Sequence, residues 1–162
     1  MTDTISRSGR LHGKIALVTG AARGIGAAIV RAFVAEGATV WITDIDGDAG
    51  AELANDIGGA TRFLPLDVGE EGDWEDVMTA LLTRDGRLDI LVNNAGITGF
   101  EDSTGPHDPE HASLAEWHKV HRINLDGTFL GCRYAIRAMR DHGTGAIINM
   151  SSVAAFQPVA FM

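Results

Sequence analysis

Thr19-Gly20-Ala21-Ala22-Arg23-Gly24-Ile25-Gly26 stands between a short apolar run, Ile15–Thr19, and a stretch with helical spacing of apolar residues, Ile25–Glu36. A continuous apolar run of this length suits a strand buried on both faces, as in a parallel sheet. The apolar positions Ile25, Ile29, Ala32 and Phe33 predict a helix, and Gly37 a left-handed stop at its end. Between strand and helix the glycines have separate uses: a tight turn, an approach of backbone to a pyrophosphate, and close helix–strand packing. The helix then offers phosphates its unpaired N–H groups and the positive end of its dipole. No Lys-Ser/Thr pair follows the glycines, so this is not a P-loop.

Outward from this turn the same alternation repeats. Strands are expected at Thr39–Thr43, Thr61–Leu66, Leu88–Val92 and Ala146–Met150, with helices at Asp48–Ile57 and Glu70–Arg84 and a long one from Leu114 to Asp141. Strand–helix alternation implies right-handed crossovers and a parallel sheet. The expected fold class is α/β, a Rossmann-like doubly wound sheet of about five strands in the order 3-2-1-4-5. Residues 1–12 lack periodicity and are expected to form a flexible arm before a domain spanning 13–162. On the long helix the expected apolar stripe is Leu114, Trp117, His121, Leu125, Cys132, Ile136 and Met139. Gly99–Ala112 carries Gly105, Pro106 and Pro109 and reads as a loop beside the crevice of the sheet.

Composition narrows the partners. The 162 residues are 45% apolar and 22% charged, with a formal net charge of -9. That balance speaks against nucleic acid or an anionic membrane, both of which need a basic surface. A nucleotide held by backbone amides remains compatible with it. The single cysteine, Cys132, allows no internal disulfide and fits a reducing, cytoplasmic setting. No signal-peptide core or bilayer-length run is present. His107, His111, His118 and His121 lie near one another in sequence but lack zinc-site spacing, so no metal is expected.

Further candidates fall where such a sheet presents its crevice. Asp44, at the end of the second strand, can accept hydrogen bonds from ribose hydroxyls and repel an added phosphate, or it can cap the next turn. That favours NAD over NADP, although Arg23 in the glycine turn is a cation that could welcome the phosphate. Asp67-Val68 follows the third strand and can read the edge of an adenine, or Asp67 can cap the next helix. Asn93-Asn94-Ala95-Gly96 closes the fourth strand, where small residues admit a cofactor and amides tie loops to strands. Asn124 sits on the long helix, and a buried amide there requires partners. Ser151 and Ser152 follow the fifth strand.

This set, in this order, resembles the short-chain dehydrogenase/reductase family of the TGxxxGIG type over roughly residues 11–162. The resemblance implies that Gly20, Arg23, Gly24, Ile25 and Gly26 cradle the pyrophosphate, Asp44 holds the adenosine ribose, Asp67 and Val68 contact adenine, and Asn94, Ala95 and Gly96 line the cofactor. It implies a catalytic role for Ser152 in orienting the substrate oxygen, with Ser151 the alternative. It also gives Asn124 a place in a proton relay through its carbonyl, which needs a local break in the helix. The family's catalytic tyrosine has a lysine four residues later. The only tyrosine here is Tyr134, followed at that spacing by Ala138, and it lies too early in the chain. Family spacing would put the tyrosine at roughly position 165. The expectation is therefore an NAD-dependent oxidoreductase acting on a secondary alcohol or ketone, cut short before its acid/base, inactive as written and homo-oligomeric. The alternatives are a non-catalytic nucleotide-binding or assembly module and a methyltransferase. Against the methyltransferase stand the NNAG and N-x-S-S segments.

Overall fold

A computed structural model describes residues 9–99, 101 and 110–156. Five strands, β1 (Ile15–Thr19), β2 (Thr39–Asp44), β3 (Thr61–Pro65), β4 (Ile90–Asn93) and β5 (Ala146–Asn149), form one parallel sheet in the order β3-β2-β1-β4-β5. The expected order is the observed one. Pairing is in register through the centre, with Leu17 beside Trp41 on one side and Leu91 on the other, and Leu91 beside Ile147. Helices α1 (Gly24–Ala35), α2 (Gly47–Ile57), α3 (Glu71–Asp85), α4 (Leu114–His121) and α5 (Gly127–Arg140) make the connections.

Alternation along the strands divides the core into two layers. On one face Leu17, Trp41 and Leu91 meet Trp74, Leu81, Leu130 and Tyr134 of α3 and α5. On the other Val18, Val40, Ile42 and Val92 meet Val30 of α1 and Leu53 of α2. Each such side chain contributes about 1.5–3 kcal/mol when fully buried. Trp74, Val77, Met78 and Leu81 form the buried face of α3, as their spacing predicts.

The helix expected at Ile25–Glu36 is observed as α1, and two other expectations need correction. The buried stripe of α1 is Gly26 and Val30, with Ile29, Phe33 and Val34 half-buried, while Ile25 and Ala32 face outward. The long helix is not continuous: α4 passes into a π turn, Arg122–Asp126, before α5, which is a local break at Asn124 of the kind the resemblance implies. One extra residue in a turn rotates everything beyond it relative to α spacing. Leu130, Gly131, Tyr134, Ala135 and Ala138 therefore face the core beside Met139 of the expected stripe, and Ile136 faces outward; Leu125 within the turn and Leu114 and Trp117 of α4, ahead of it, are exposed as well. Lastly, residues 9–12 of the expected arm are tied to the end of α1. Leu11 N–H donates to the Glu36 carbonyl at 2.9 Å, and Arg10 pairs with the Glu36 carboxylate at 3.1 Å. Residues 1–8 lie outside the described residues.

No helix among the described residues is long and apolar enough to cross a membrane.

Candidate functional site

The carboxyl ends of β1, β2 and β4 open into a cleft of about 520 Å³. Its wall includes Gly20, Arg23, Asp44, Asp67, Val68, Asn94, Ala95 and Gly96. Eight of the positions singled out from sequence are thus brought together.

The glycine turn is locked from behind. Thr19 Oγ1 accepts the N–H groups of Asn94 and Ala95, each at 3.0 Å, and Asn94 Nδ2 donates to the carbonyls of Thr19 and Gly20, each at 2.9 Å. These bonds draw the β4 loop so close to β1 that side chains are excluded. Gly20 has φ +59°, and a Cβ on it would lie 2.7 Å from Ala95 Cα. A Cβ on Gly26 would lie 2.7 Å from Ala21 Cα and 2.7 Å from Asn94 Nδ2. α1 starts beside the cleft without a side-chain cap. α2 is capped by Asp46 and α4 by a Ser113–Glu116 capping box, but Arg23 at the N-cap of α1 makes no side-chain capping bond. That leaves the N–H groups of the first turn to an external acceptor.

Asp44 is only 8% exposed. Its two oxygens accept the N–H groups of Ala22 at 2.9 Å and Asp46 at 3.1 Å. It therefore steadies the next turn and also forms the cleft wall, where each oxygen keeps a lone pair. Arg23 reaches the neighbouring Asp46 at 3.5 Å. Asp67 does not cap α3, whose N-cap is Glu70 without a side-chain bond. Its carboxylate accepts the Gly69 N–H at 2.9 Å and Arg122 Nη2 at 3.0 Å. The Asp67 hydrogen bond raises the Arg122 pKa further above its already high value.

The π turn places Asn124 against the loop after β4. Its Oδ1 accepts Ile97 N–H at 2.9 Å and its Nδ2 donates to the Ile97 carbonyl at 2.8 Å. The amide is exposed rather than buried, but it has both partners. Its backbone carbonyl accepts Thr128 Oγ1 at 2.9 Å. Beside it, Glu101 accepts the N–H groups of Thr98 and Gly99 and the Thr98 hydroxyl. Burial opposes its ionisation, but these bonds outweigh it and hold the pKa at about 2.

Gly24, Ile25, Gly26, Asn124 and Ser152 are not part of the cleft wall. Gly26 supports the turn from behind, and Ile25 is 64% exposed beside it. Ser151 and Ser152 follow β5 and are exposed, and the Ser152 carbonyl accepts Ala155 N–H. Tyr134 lies on the α3 side of the sheet, with its hydroxyl donating to Glu75 at 3.0 Å and within 3.2 Å of Glu71. Burial and those two carboxylates raise its pKa. Asn93 and Cys132 meet Asn149 beneath the loop, at 2.8 Å and 3.6 Å. Among the described residues no three His, Cys, Asp or Glu side chains are grouped for a metal, and His107 lies outside those residues. The wall also holds Ile45, Leu66, Ile97, Glu101, Lys119, Arg122 and Ile123, which the sequence did not mark as site residues.

A family model described as short chain dehydrogenase matches residues 14–162. The chain belongs to the short-chain dehydrogenase family. It is 43% identical over 150 residues to a 3-beta-hydroxysteroid dehydrogenase of Comamonas testosteroni, covering 93% of this chain and 56% of that one. It is 42% identical over 153 residues to an NADP-dependent (R)-specific alcohol dehydrogenase of Lentilactobacillus kefiri, covering 91% and 57%. The chain spans about half the length of the curated relatives it matches. Among solved structures, a 3-ketoacyl-(acyl-carrier-protein) reductase of Brucella melitensis complexed with NADH superposes with a TM-score of 0.86 at 32% identity, covering 93% and 62%. As a short-chain dehydrogenase, the chain is of an oxidoreductase family that binds a nicotinamide cofactor. The residues present fit such a dinucleotide: the cleft is lined by the glycine turn at Gly20, by the acceptor carboxylates of Asp44 and Asp67 and by the small residues Ala95 and Gly96, and α1 begins beside it without a side-chain cap.

Proposed function

We propose that the protein is part of an NAD(H)-dependent oxidoreductase that interconverts a secondary alcohol and its ketone in the cytoplasm. The observation that carries the cofactor choice is the Asp44 carboxylate, fixed by two backbone N–H groups in the cleft wall. Fixed there, it accepts ribose hydroxyls and opposes an additional phosphate. Arg23 is the counterweight, but it has Asp46 as a partner. The names of the hydroxysteroid and alcohol dehydrogenase relatives support a small alcohol or ketone substrate.

The bound nicotinamide would supply or accept hydride. Ser152 would donate a hydrogen bond to the substrate oxygen, and Asn124 would hold the loop at Ile97 and help carry a proton. Charge developing on that oxygen must be met by a proton as well as by aligned donors. Tyr134 is the chain's one tyrosine, and it is committed to Glu71 and Glu75 away from the cleft. The 162 residues are therefore expected to bind cofactor without turning it over. A second copy would cover the outward faces of α4 and α5, where Trp117 is 57% and Phe129 60% exposed.

Fluorescence titration with NADH and NADPH, alongside NADH oxidation with a panel of ketones, tests this reading. Tight NADH binding, weaker NADPH binding and turnover only in a chain extended to include a tyrosine–lysine pair are expected. Turnover by the 162 residues alone would show that the acid/base has been misplaced. NADH binding without turnover in the extended chain would favour a non-catalytic binding module.

A further inference from the structure

Arg122 opens the π turn and reaches across to the loop between β3 and α3. Its Nη2 donates to Asp67 Oδ2 at 3.0 Å and its Nη1 to Glu70 Oε1 at 2.9 Å. The loop is shaped to receive it: a Cβ on Gly69 would lie 2.5 Å from Arg122 Nη1 and 2.9 Å from Cζ. The second Asp67 oxygen accepts the Gly69 N–H, and the Asp67 N–H donates to Asp73 Oδ2 at 2.8 Å. Asp67 is thus held at both oxygens and at its backbone, while Asp67, Val68 and Arg122 all line the cleft.

A carboxylate so held has a fixed direction. Each oxygen retains a lone pair that can accept an N–H but repels a carbonyl oxygen. A purine with an amino group at C6 donates to such an acceptor from that position, whereas one with an oxo group there presents an acceptor and keeps its only ring donor one atom away, at N1. The fork of a guanidinium spans two carboxylates at once, which a lysine's single ammonium does not do in the same geometry. Without Arg122 the carboxylates of Asp67 and Glu70 would lose their shared cation, and Asp67 would be free to turn from the wall.

We propose that Arg122 is a positioning residue that makes this end of the cleft select a 6-aminopurine over a 6-oxopurine. The proposal rests on the reading of the cleft as a dinucleotide site. The ligands that test it are NADH and reduced nicotinamide hypoxanthine dinucleotide, titrated by fluorescence against the unchanged chain, Arg122→Gln and Gly69→Ala. The unchanged chain should prefer NADH by about tenfold, equivalent to about 1.4 kcal/mol. Both variants should bind NADH more weakly, and their preference should fall towards unity. Circular dichroism establishes that each variant is folded, and Gly69→Ala decides the matter where Arg122→Gln is not.

Binding of neither ligand by the unchanged chain would overturn the dinucleotide reading, and this proposal with it. Tight but equal binding of both would leave that reading standing and overturn the proposal alone. Equal weakening of both ligands by the variants, with the preference intact, would reduce Arg122 to a structural brace and also overturn it.

Discussion

Around Asp44 and Asp67 backbone N–H groups hold carboxylates; around Asn124 and Glu101 side chains hold backbone. Asp44 is fixed by the N–H groups of Ala22 and Asp46, and Asp67 by the N–H of Gly69 with Arg122 on its other oxygen. Across the cleft, Asn124 and Glu101 use their side chains to fix Ile97, Thr98 and Gly99. The first arrangement presents immobile acceptors to a ligand and costs little when the ligand binds, because few rotamers are left to freeze. The second fixes the path of a loop. Grip and loop placement are therefore separable, and substitutions at the two ends should read out differently.

The largest expected effect lies where the two ends share a support. Gly26→Val would drive a branched side chain into Ala21 and the Asn94 amide that ties β4 to β1. Overpacking of this kind costs about 1–3 kcal/mol, or about 2–4 °C of Tm per kcal/mol in a domain of this size. NADH affinity should fall by at least about tenfold, because the turn itself shifts. A variant with unchanged Tm and unchanged NADH binding would show that the cradle is looser than its geometry.

Asp44→Asn comes next and acts on grip alone. Removing the charge should relieve repulsion of the extra phosphate, a like-charge contact worth several kcal/mol when desolvated. NADPH and NADH should then bind with similar affinity, while Tm changes little, since an amide oxygen can still accept one of the two N–H bonds. Equal binding of the two cofactors by the unchanged chain would instead make Arg23 the dominant group.

Asn124→Ala should do the reverse. Two hydrogen bonds to Ile97 are lost, each contributing about 0.5–1.5 kcal/mol when shielded and less here, where water replaces them. Faster hydrogen exchange at the Ile97 amide is expected, with NADH affinity changed by less than about threefold. A large loss of NADH binding without loosening of that amide would break the contrast between the two ends.

What could be read in advance follows the same division. Glycine turns, apolar strand runs and the acid at the end of β2 are local, so the sheet order and the cluster around Gly20, Asp44, Asp67 and Asn94 were legible. The face of the long helix was not. Its stripe was drawn on uniform α spacing, and the π turn at Arg122–Asp126 put Leu125 and Ile136 outside and Tyr134 inside. Arg122 escaped notice for a different reason. Its partner Asp67 lies 55 residues away, and nothing in either neighbourhood marks the pair until the turn brings them together. Ile25 fits the helical period, and its exposure beside the glycine turn agrees with the ligand contact that the resemblance implies better than with packing.

The smallest effect sharpens the comparison through pH. Glu101 has its pKa lowered from the ordinary 4.5 to about 2, because the N–H groups of Thr98 and Gly99 and the Thr98 hydroxyl favour the charged form more than burial disfavours it. A carboxylate with a depressed folded-state pKa contributes stability that is fully present above about 4.5 and is lost as pH falls towards about 2. Glu101 is exposed, so solvent screening leaves about 0–1 kcal/mol of that contribution. Glu101→Gln should therefore lower Tm by no more than about 2–4 °C at pH 6. The gap should close progressively as the pH is lowered from about 4.5 to about 2, since protonation then removes from the unchanged chain what the substitution removes at any pH. NADH affinity at pH 6 should hardly change, because the side chain holds the loop rather than the ligand. A Tm gap that persists undiminished to the lowest pH would mean that the neutral side chain holds Thr98 and Gly99 as well as the carboxylate does. A marked loss of NADH binding would mean that this end of the cleft grips as well as guides.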